Sequence, residues 1–93
     1  MGRFAGKDIL ARSRKFALKI INLFRTIPDD FVSRHLLQQL VRCATSIGAN
    51  LCEADMADTI KDFCNKVNIS QKEAHELQKI CRQIVKASRP VRA

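Results

Sequence analysis

The sequence predicts an all-α protein, an antiparallel up-down helical bundle with three long helices in one domain over residues 1–93. Three observations carry this. The three Gly and two Pro are too few for an all-β domain, which needs a turn every ten residues or so. Apolar residues recur at three- and four-residue steps along three stretches, about 7–27, 30–56 and 59–88. The stretches are also punctuated where helices stop and start, at Pro28 and Thr59.

In the first stretch, Ile9, Ser13, Phe16, Ile20, Phe24 and Ile27 share one face, widened by Leu10, Ala17, Ile21 and Leu23. Lys7, Arg14, Lys15 and Arg25 take the other side, and Arg12 and Lys19 flank the apolar arc. Leu18 is an apolar residue on the polar side. Pro28 should end this helix, because the residue before a proline avoids the α region. Asp29 or Asp30 can then cap the next one.

The second stretch has an apolar face of Leu36, Leu37, Leu40, Val41, Ala44, Ile47, Leu51 and Ala54, with Gly48 inside it. Glycine in a helix interior costs about 1 kcal/mol against alanine. Its place on this face predicts close approach of another helix backbone, and overpacking in Gly48→Leu. Beside that face runs a polar stripe of Gln39, Arg42, Ser46, Asn50 and Glu53, aligned by three- and four-residue steps.

Thr59-Ile60-Lys61-Asp62 opens the third helix as a capping box with Asp in place of Glu. Ile60, Phe63, Val67, Ser70, Ala74, Leu77, Cys81, Ile84 and Ser88 then alternate at three and four, a heptad seam. Ser70 could cap a new helix, but the unbroken seam favours continuity. Ile69 and Ile80 fall off the seam and point to a second contact surface. At about 1.5 Å per residue the three helices would measure roughly 30, 40 and 45 Å. The third therefore outruns its partners, and self-association follows, with Ile80→Glu expected to dissociate the assembly.

No stretch reaches the roughly 18 apolar residues of a membrane span. Charges at Lys7, Asp8 and Arg12 leave no signal-peptide core near the start. The expected location is cytoplasmic. Cys43, Cys52, Cys64 and Cys81 form no Cys-x-x-Cys pair and read as small core hydrophobes in a reducing compartment. No metal or other cofactor is expected. His35 and His75 have no ligand at metal spacing on the same turn and read as surface residues. Ser46 has no base beside it: His35 is about 16 Å away along the axis. With no acid-base pair in view, an enzyme is not expected. The polar stripe reads as a hydrogen-bonded ladder that fixes helix register, with recognition of a polar partner through an Arg42–Glu53 pair as the alternative.

Charge is the functional lead. Lys and Arg number 17 against nine Asp and Glu, a net +8, with a pI near 9.9. Residues 1–25 hold seven basic side chains (Arg3, Lys7, Arg12, Arg14, Lys15, Lys19 and Arg25) against Asp8 alone. Residues 77–93 hold five (Lys79, Arg82, Lys86, Arg89 and Arg92) and no acid. Arg12, Arg14, Lys15, Lys19, Lys79, Arg82, Lys86 and Arg89 are the candidate nucleic-acid contacts, acting on phosphates through counterion release. Five Phe with no Trp or Tyr argue against base stacking. A solvated face that only aids solubility is the plain alternative. The first helix's basic face would also suit an anionic membrane surface, but its apolar arc is needed for the bundle.

The run from Gln39 to Ala54, with Arg42, Ser46-Ile47, Asn50 and Glu53, resembles the signature of the small four-helix-bundle proteins encoded in intervening sequences of bacterial large-subunit ribosomal RNA genes. Lys61-Asp62-Phe63, Lys66 and Lys72-Glu73-Ala74-His75-Glu76 resemble the helix that follows in that family, and Lys7-Asp8 to Ile27-Pro28 its first helix and closing proline. The accessory variability protein of diversity-generating retroelements looks like a related bundle. It is a basic homopentamer that binds a reverse transcriptase and nucleic acid. The resemblance implies a homo-oligomer here, a pentamer where that geometry carries over, with RNA or DNA and a reverse transcriptase or other nucleic-acid enzyme as partners. This chain looks shortened: Leu77 to Ser88 follows His75-Glu76 directly and resembles the end of the family's fourth helix, so one long helix replaces a hairpin. Two functions follow: a non-enzymatic, oligomeric nucleic-acid-binding accessory module, or a bundle that binds only protein.

Overall fold

The computed structural model of the protein describes residues 2–4, 8–23, 25–27 and 30–88. These form three helices, α1 (Ile9–Leu23), α2 (Phe31–Asp55) and α3 (Ile60–Ser88). The expected bundle class holds, with α2 and α3 within a residue of their expected bounds. Asp30 is the N-cap of α2: its carboxylate accepts from the Ser33 amide at 2.8 Å and from the Ser33 hydroxyl at 2.9 Å. Ser33 thereby holds the Asp30 carboxyl below its usual range, through the backbone bond first and the hydroxyl second. The Thr59 hydroxyl accepts from the Asp62 amide at 3.0 Å and caps α3. That helix runs through Ser70 without a break.

The first helix is shorter than its periodicity implies. It ends at Leu23, whose carbonyl accepts from both the amide and the hydroxyl of Thr26 at 3.0 Å. Ile27 still packs against the core, from the turn instead of the helix. That is why the pattern ran on after the helix had stopped. Lys7, Phe24, Pro28, Asp29, Arg89 and Arg92 lie outside the described residues, so their expected roles are neither placed nor displaced.

α2 is the central element. Lys66 meets Glu53, Ser70 meets Ile47 and Glu73 meets Arg42, so α3 runs antiparallel to α2. On another side of α2, Leu10, Ser13 and Ala17 of α1 lie against Ala44, Gly48 and Cys52. The core joins Ile20 to Leu37, Leu40, Cys43 and Ala44, and to Leu77 and Ile80. Ser70 is the buried polar side chain of this region, and its hydroxyl donates to the Ile47 carbonyl at 3.1 Å. At about 100° per residue the α1-facing and α3-facing sides of α2 lie roughly a quarter-turn apart. Among the described residues no Cα of α1 comes within 8 Å of one in α3. The three helices thus occupy three corners of a square, and the fourth corner is open.

Four expectations are corrected by this packing. Only Cys43 is buried; Cys52, Cys64 and Cys81 are exposed, Cys52 because it borders the open groove between α1 and α2, and Cys64 and Cys81 because they lie on a side of α3 turned away from α2. Ile80 is 3% exposed and sits in the core, so Ile80→Glu would bury a charge within one chain and is no probe of assembly. The seam of α3 divides: Phe63, Ser70, Leu77 and Ile84 turn inward, whereas Ile60, Ala74 and Cys81 face outward. Last, no backbone crowds Gly48. A Cβ built there would find Ser13 Oγ as its nearest neighbour, at 3.8 Å, beside an open groove of about 200 Å³. The expected overpacking in Gly48→Leu therefore loses its basis.

Candidate nucleic-acid interface

On α1, Arg12, Lys15 and Lys19 are spaced at three and four residues and form one exposed stripe. Arg14 does not join it. It lies on the opposite flank, beside Thr45 and Cys52, because two residues along a helix turn the side chain by about 200°. On α3, Lys79, Arg82 and Lys86 make a second exposed stripe with the same spacing. Lys79 makes a loose intrahelical pair with Glu76, at 3.9 Å. Ile20 shares the core with Leu77 and Ile80, and α1 and α3 run in the same direction. The α1 stripe therefore ends at about the height where the α3 stripe begins. Together they follow the rod for roughly 25 Å, on helix faces turned away from α2. Arg89 lies outside the described residues.

The opposite end of the rod is acidic. Asp55, Asp58 and Asp62 surround the turn between α2 and α3. Arg3, counted among the basic N-terminal residues, is held there: its guanidinium donates to the carbonyls of Ala57 at 3.2 Å and Asp58 at 3.1 Å. The Arg3 amide donates to the Asp55 carbonyl at 2.7 Å, the Phe4 amide donates to the Asp55 carboxylate at 2.6 Å, and the Phe4 ring packs on Phe63 with centroids 5.4 Å apart. Arg3 thus fastens the N-terminal segment to the turn. Nothing periodic in the sequence marks this contact, which joins segments more than fifty residues apart.

The polar stripe of α2 is a set of separate contacts instead of one ladder. Gln39 Nε2 lies 3.3 Å from His35 Nε2. The Asn50 side-chain Nδ2 donates to the Ser46 carbonyl at 2.8 Å and the Ser46 hydroxyl at 3.3 Å. Arg42 and Glu53 do not pair with each other. Arg42 reaches Glu73 at 3.3 Å and Glu53 reaches Lys66 at 2.6 Å, both across to α3. Arg42 also donates to Cys43 Sγ at 3.3 Å. Burial pushes the Cys43 thiol pKa up, with the Glu73 side chain acting in the same direction. The Arg42–Glu73 and Glu53–Lys66 pairs tie α2 to α3. Among the described residues no cluster of three His, Cys, Asp or Glu could hold a metal ion, and no helix is long and apolar enough to cross a membrane.

Residues 7–89 match the family model described as 23S rRNA-intervening sequence protein. The chain belongs to that family. The match runs from the start of the first helical stretch to the end of α3, so it includes both basic stripes and the α2 polar stripe of this intervening-sequence protein. No curated protein and no solved structure matches the chain.

Proposed function

We propose that this member of the intervening-sequence family is a non-enzymatic accessory module that binds RNA or duplex DNA through its phosphates. The observation that carries the reading is the pair of exposed stripes, Arg12-Lys15-Lys19 and Lys79-Arg82-Lys86, following one another along the outside of a chain of net charge +8. Arg and Lys side chains at this spacing neutralise phosphates and release counterions, which gives affinity without base readout. The family's link to ribosomal RNA intervening sequences, stated in its description, fits a role beside nucleic acid. A cytoplasmic protein that holds RNA or DNA for a partner enzyme, such as a reverse transcriptase, is the role this surface suits. Arg14, on the far flank, is left out of the main contact.

Fluorescence anisotropy with labelled RNA and duplex DNA of unrelated sequences tests the reading. At low salt all should bind at micromolar or weaker affinity with little preference. Undetectable binding would leave the charge to solubility and favour a bundle that binds only protein, for which the uncovered apolar surface of α1 and α3 speaks.

A further inference from the structure

The open fourth corner has two apolar walls. On α1, Phe16 and Leu23 are each 43% exposed. With α2 contacted through Leu10, Ser13, Ala17 and Ile20, the helical wheel turns Phe16 and Leu23 toward that corner. On α3, helical position carries Val67, Ala74, Cys81 and Val85 to the other wall, and Val85 is 54% exposed. Neighbouring axes in a bundle lie about 9 Å apart, so the corner has the width of one helix. Its length is that of α1, 15 residues, or roughly 22 Å.

The rims of these walls are basic. Arg12 and Lys19 edge the α1 wall, and Arg82 and Lys86 border a groove of about 300 Å³ beside Cys81 and Val85. The acids of α3 keep to its other flank: Asp62, Glu73 and Glu76 lie there, and Glu73 pairs with Arg42 of α2. Against those four cations the edge of the corner carries Asp8, beside the first turn of α1. A phosphate backbone uses such rims but leaves the apolar walls in water. An occupant that uses both is apolar along one side and anionic along the two edges of that side.

We infer that the corner docks one amphipathic helix of a partner protein, about four turns long, with Asp or Glu on both flanks of its apolar stripe. The docked helix runs parallel to α2 and antiparallel to α1 and α3, which completes the up-down pattern and sets its dipole against both neighbours. Its stripe covers Phe16, Leu23, Cys81 and Val85, and its carboxylates meet Arg12 and Lys19 on one edge and Arg82 and Lys86 on the other. A second copy of this chain is the poorer occupant: the uncovered sides of α1 and α3 have the same basic edges and would bring like charges together. Four of the six stripe cations are engaged in this way, and Lys15 and Lys79 stay outside. The docked helix and nucleic acid therefore exclude one another, and an acidic partner releases bound RNA or DNA. The docking rests on the corner alone, whereas the release rests on the phosphate-contact reading.

The test uses the full chain, freed of nucleic acid, and a labelled synthetic peptide of about 18 residues with Leu at the stripe positions and Glu on both flanks. Fluorescence anisotropy should show this peptide binding one to one, and the same peptide with Lys flanks binding about tenfold more weakly or worse. Val85→Lys should weaken the Glu-flanked peptide about tenfold although it adds a cation, with helical circular dichroism unchanged. Arg12→Glu, Lys19→Glu and Arg82→Glu together should reverse the preference in favour of the Lys-flanked peptide. Equal binding of the two peptides, or of a Glu-flanked peptide with Ser along its stripe, would overturn the docking. No binding to a chain that light scattering shows as a multiple of 10.5 kDa would give the corner to further copies, and no binding to a monomer would leave it empty; either result overturns the docking. With labelled RNA bound, the Glu-flanked peptide should release it over the concentrations at which it docks. RNA that stays beside docked peptide would overturn the release, and a chain that binds the peptide but no RNA would refute the phosphate-contact reading and leave the docking standing.

Discussion

Replacing Gly48 with alanine should stabilise this protein. Gly48 lies inside α2, where the missing side chain costs about 1 kcal/mol in helix propensity. What could cancel that gain is a clash, and the structure leaves room: the nearest atom to a new Cβ is Ser13 Oγ, at the ordinary contact distance of 3.8 Å. Gly48 also carries no left-handed backbone that a side chain would strain. The full gain of about 1 kcal/mol should therefore appear. In a domain of this size it corresponds to a melting temperature about 4–8 °C higher. Thermal and urea denaturation followed by circular dichroism would measure it. A lower melting temperature in Gly48→Ala would mean that α1 lies closer to α2 than the structure shows, and the corner arrangement built on that contact would fail with it.

Ile80→Ala should cost about 2–5 kcal/mol, as for other buried aliphatic truncations, whereas the outer Ile69→Ala should stay within about 0.5 kcal/mol; urea unfolding of both checks which face of α3 is the core. Ellman's reagent on dilute native protein should label Cys52, Cys64 and Cys81 quickly and Cys43 only on unfolding, since Cys43 is fully buried and its thiol is pushed toward the protonated form. Acid should remove the Asp30 cap. The folded carboxyl titrates below its ordinary 3.8, so its contribution is complete above that value and is lost as pH falls through the lower folded pKa. Asp30→Asn should flatten this part of the stability–pH curve, and an unchanged curve would remove Asp30 as its source.

The helices were legible because their signals are local. Asp30 and Thr59 cap through bonds to amides three residues on, and a sequence displays that spacing directly. The end of α1 is hidden in the sequence because Ile27 keeps the apolar rhythm while lying outside the helix. Orienting α3 was harder, since apolar residues lie on two of its sides. Periodicity alone does not distinguish Ile80 from Cys81 as the residue that faces α2; the cross-helix partners of Lys66, Ser70 and Glu73 fix that orientation. The basic stripes were readable as composition and spacing. That Arg14 leaves the stripe and Arg3 is tied to the turn depends on contacts between distant segments, which spacing does not encode.

The salt dependence of binding tests the phosphate-contact reading most directly. The logarithm of affinity for duplex DNA should fall linearly with the logarithm of salt, with a slope of about −0.9 per neutralised phosphate. Changing Arg12, Lys15 and Lys19 to Gln, or Lys79, Arg82 and Lys86 to Gln, should flatten that slope and weaken every sequence alike. Replacing Lys61 and Lys66 should do much less, because Lys61 lies among acids and Lys66 is already paired with Glu53. Equal losses per charge from all three sets would show that net charge alone drives binding, and would contradict the assignment of a binding face.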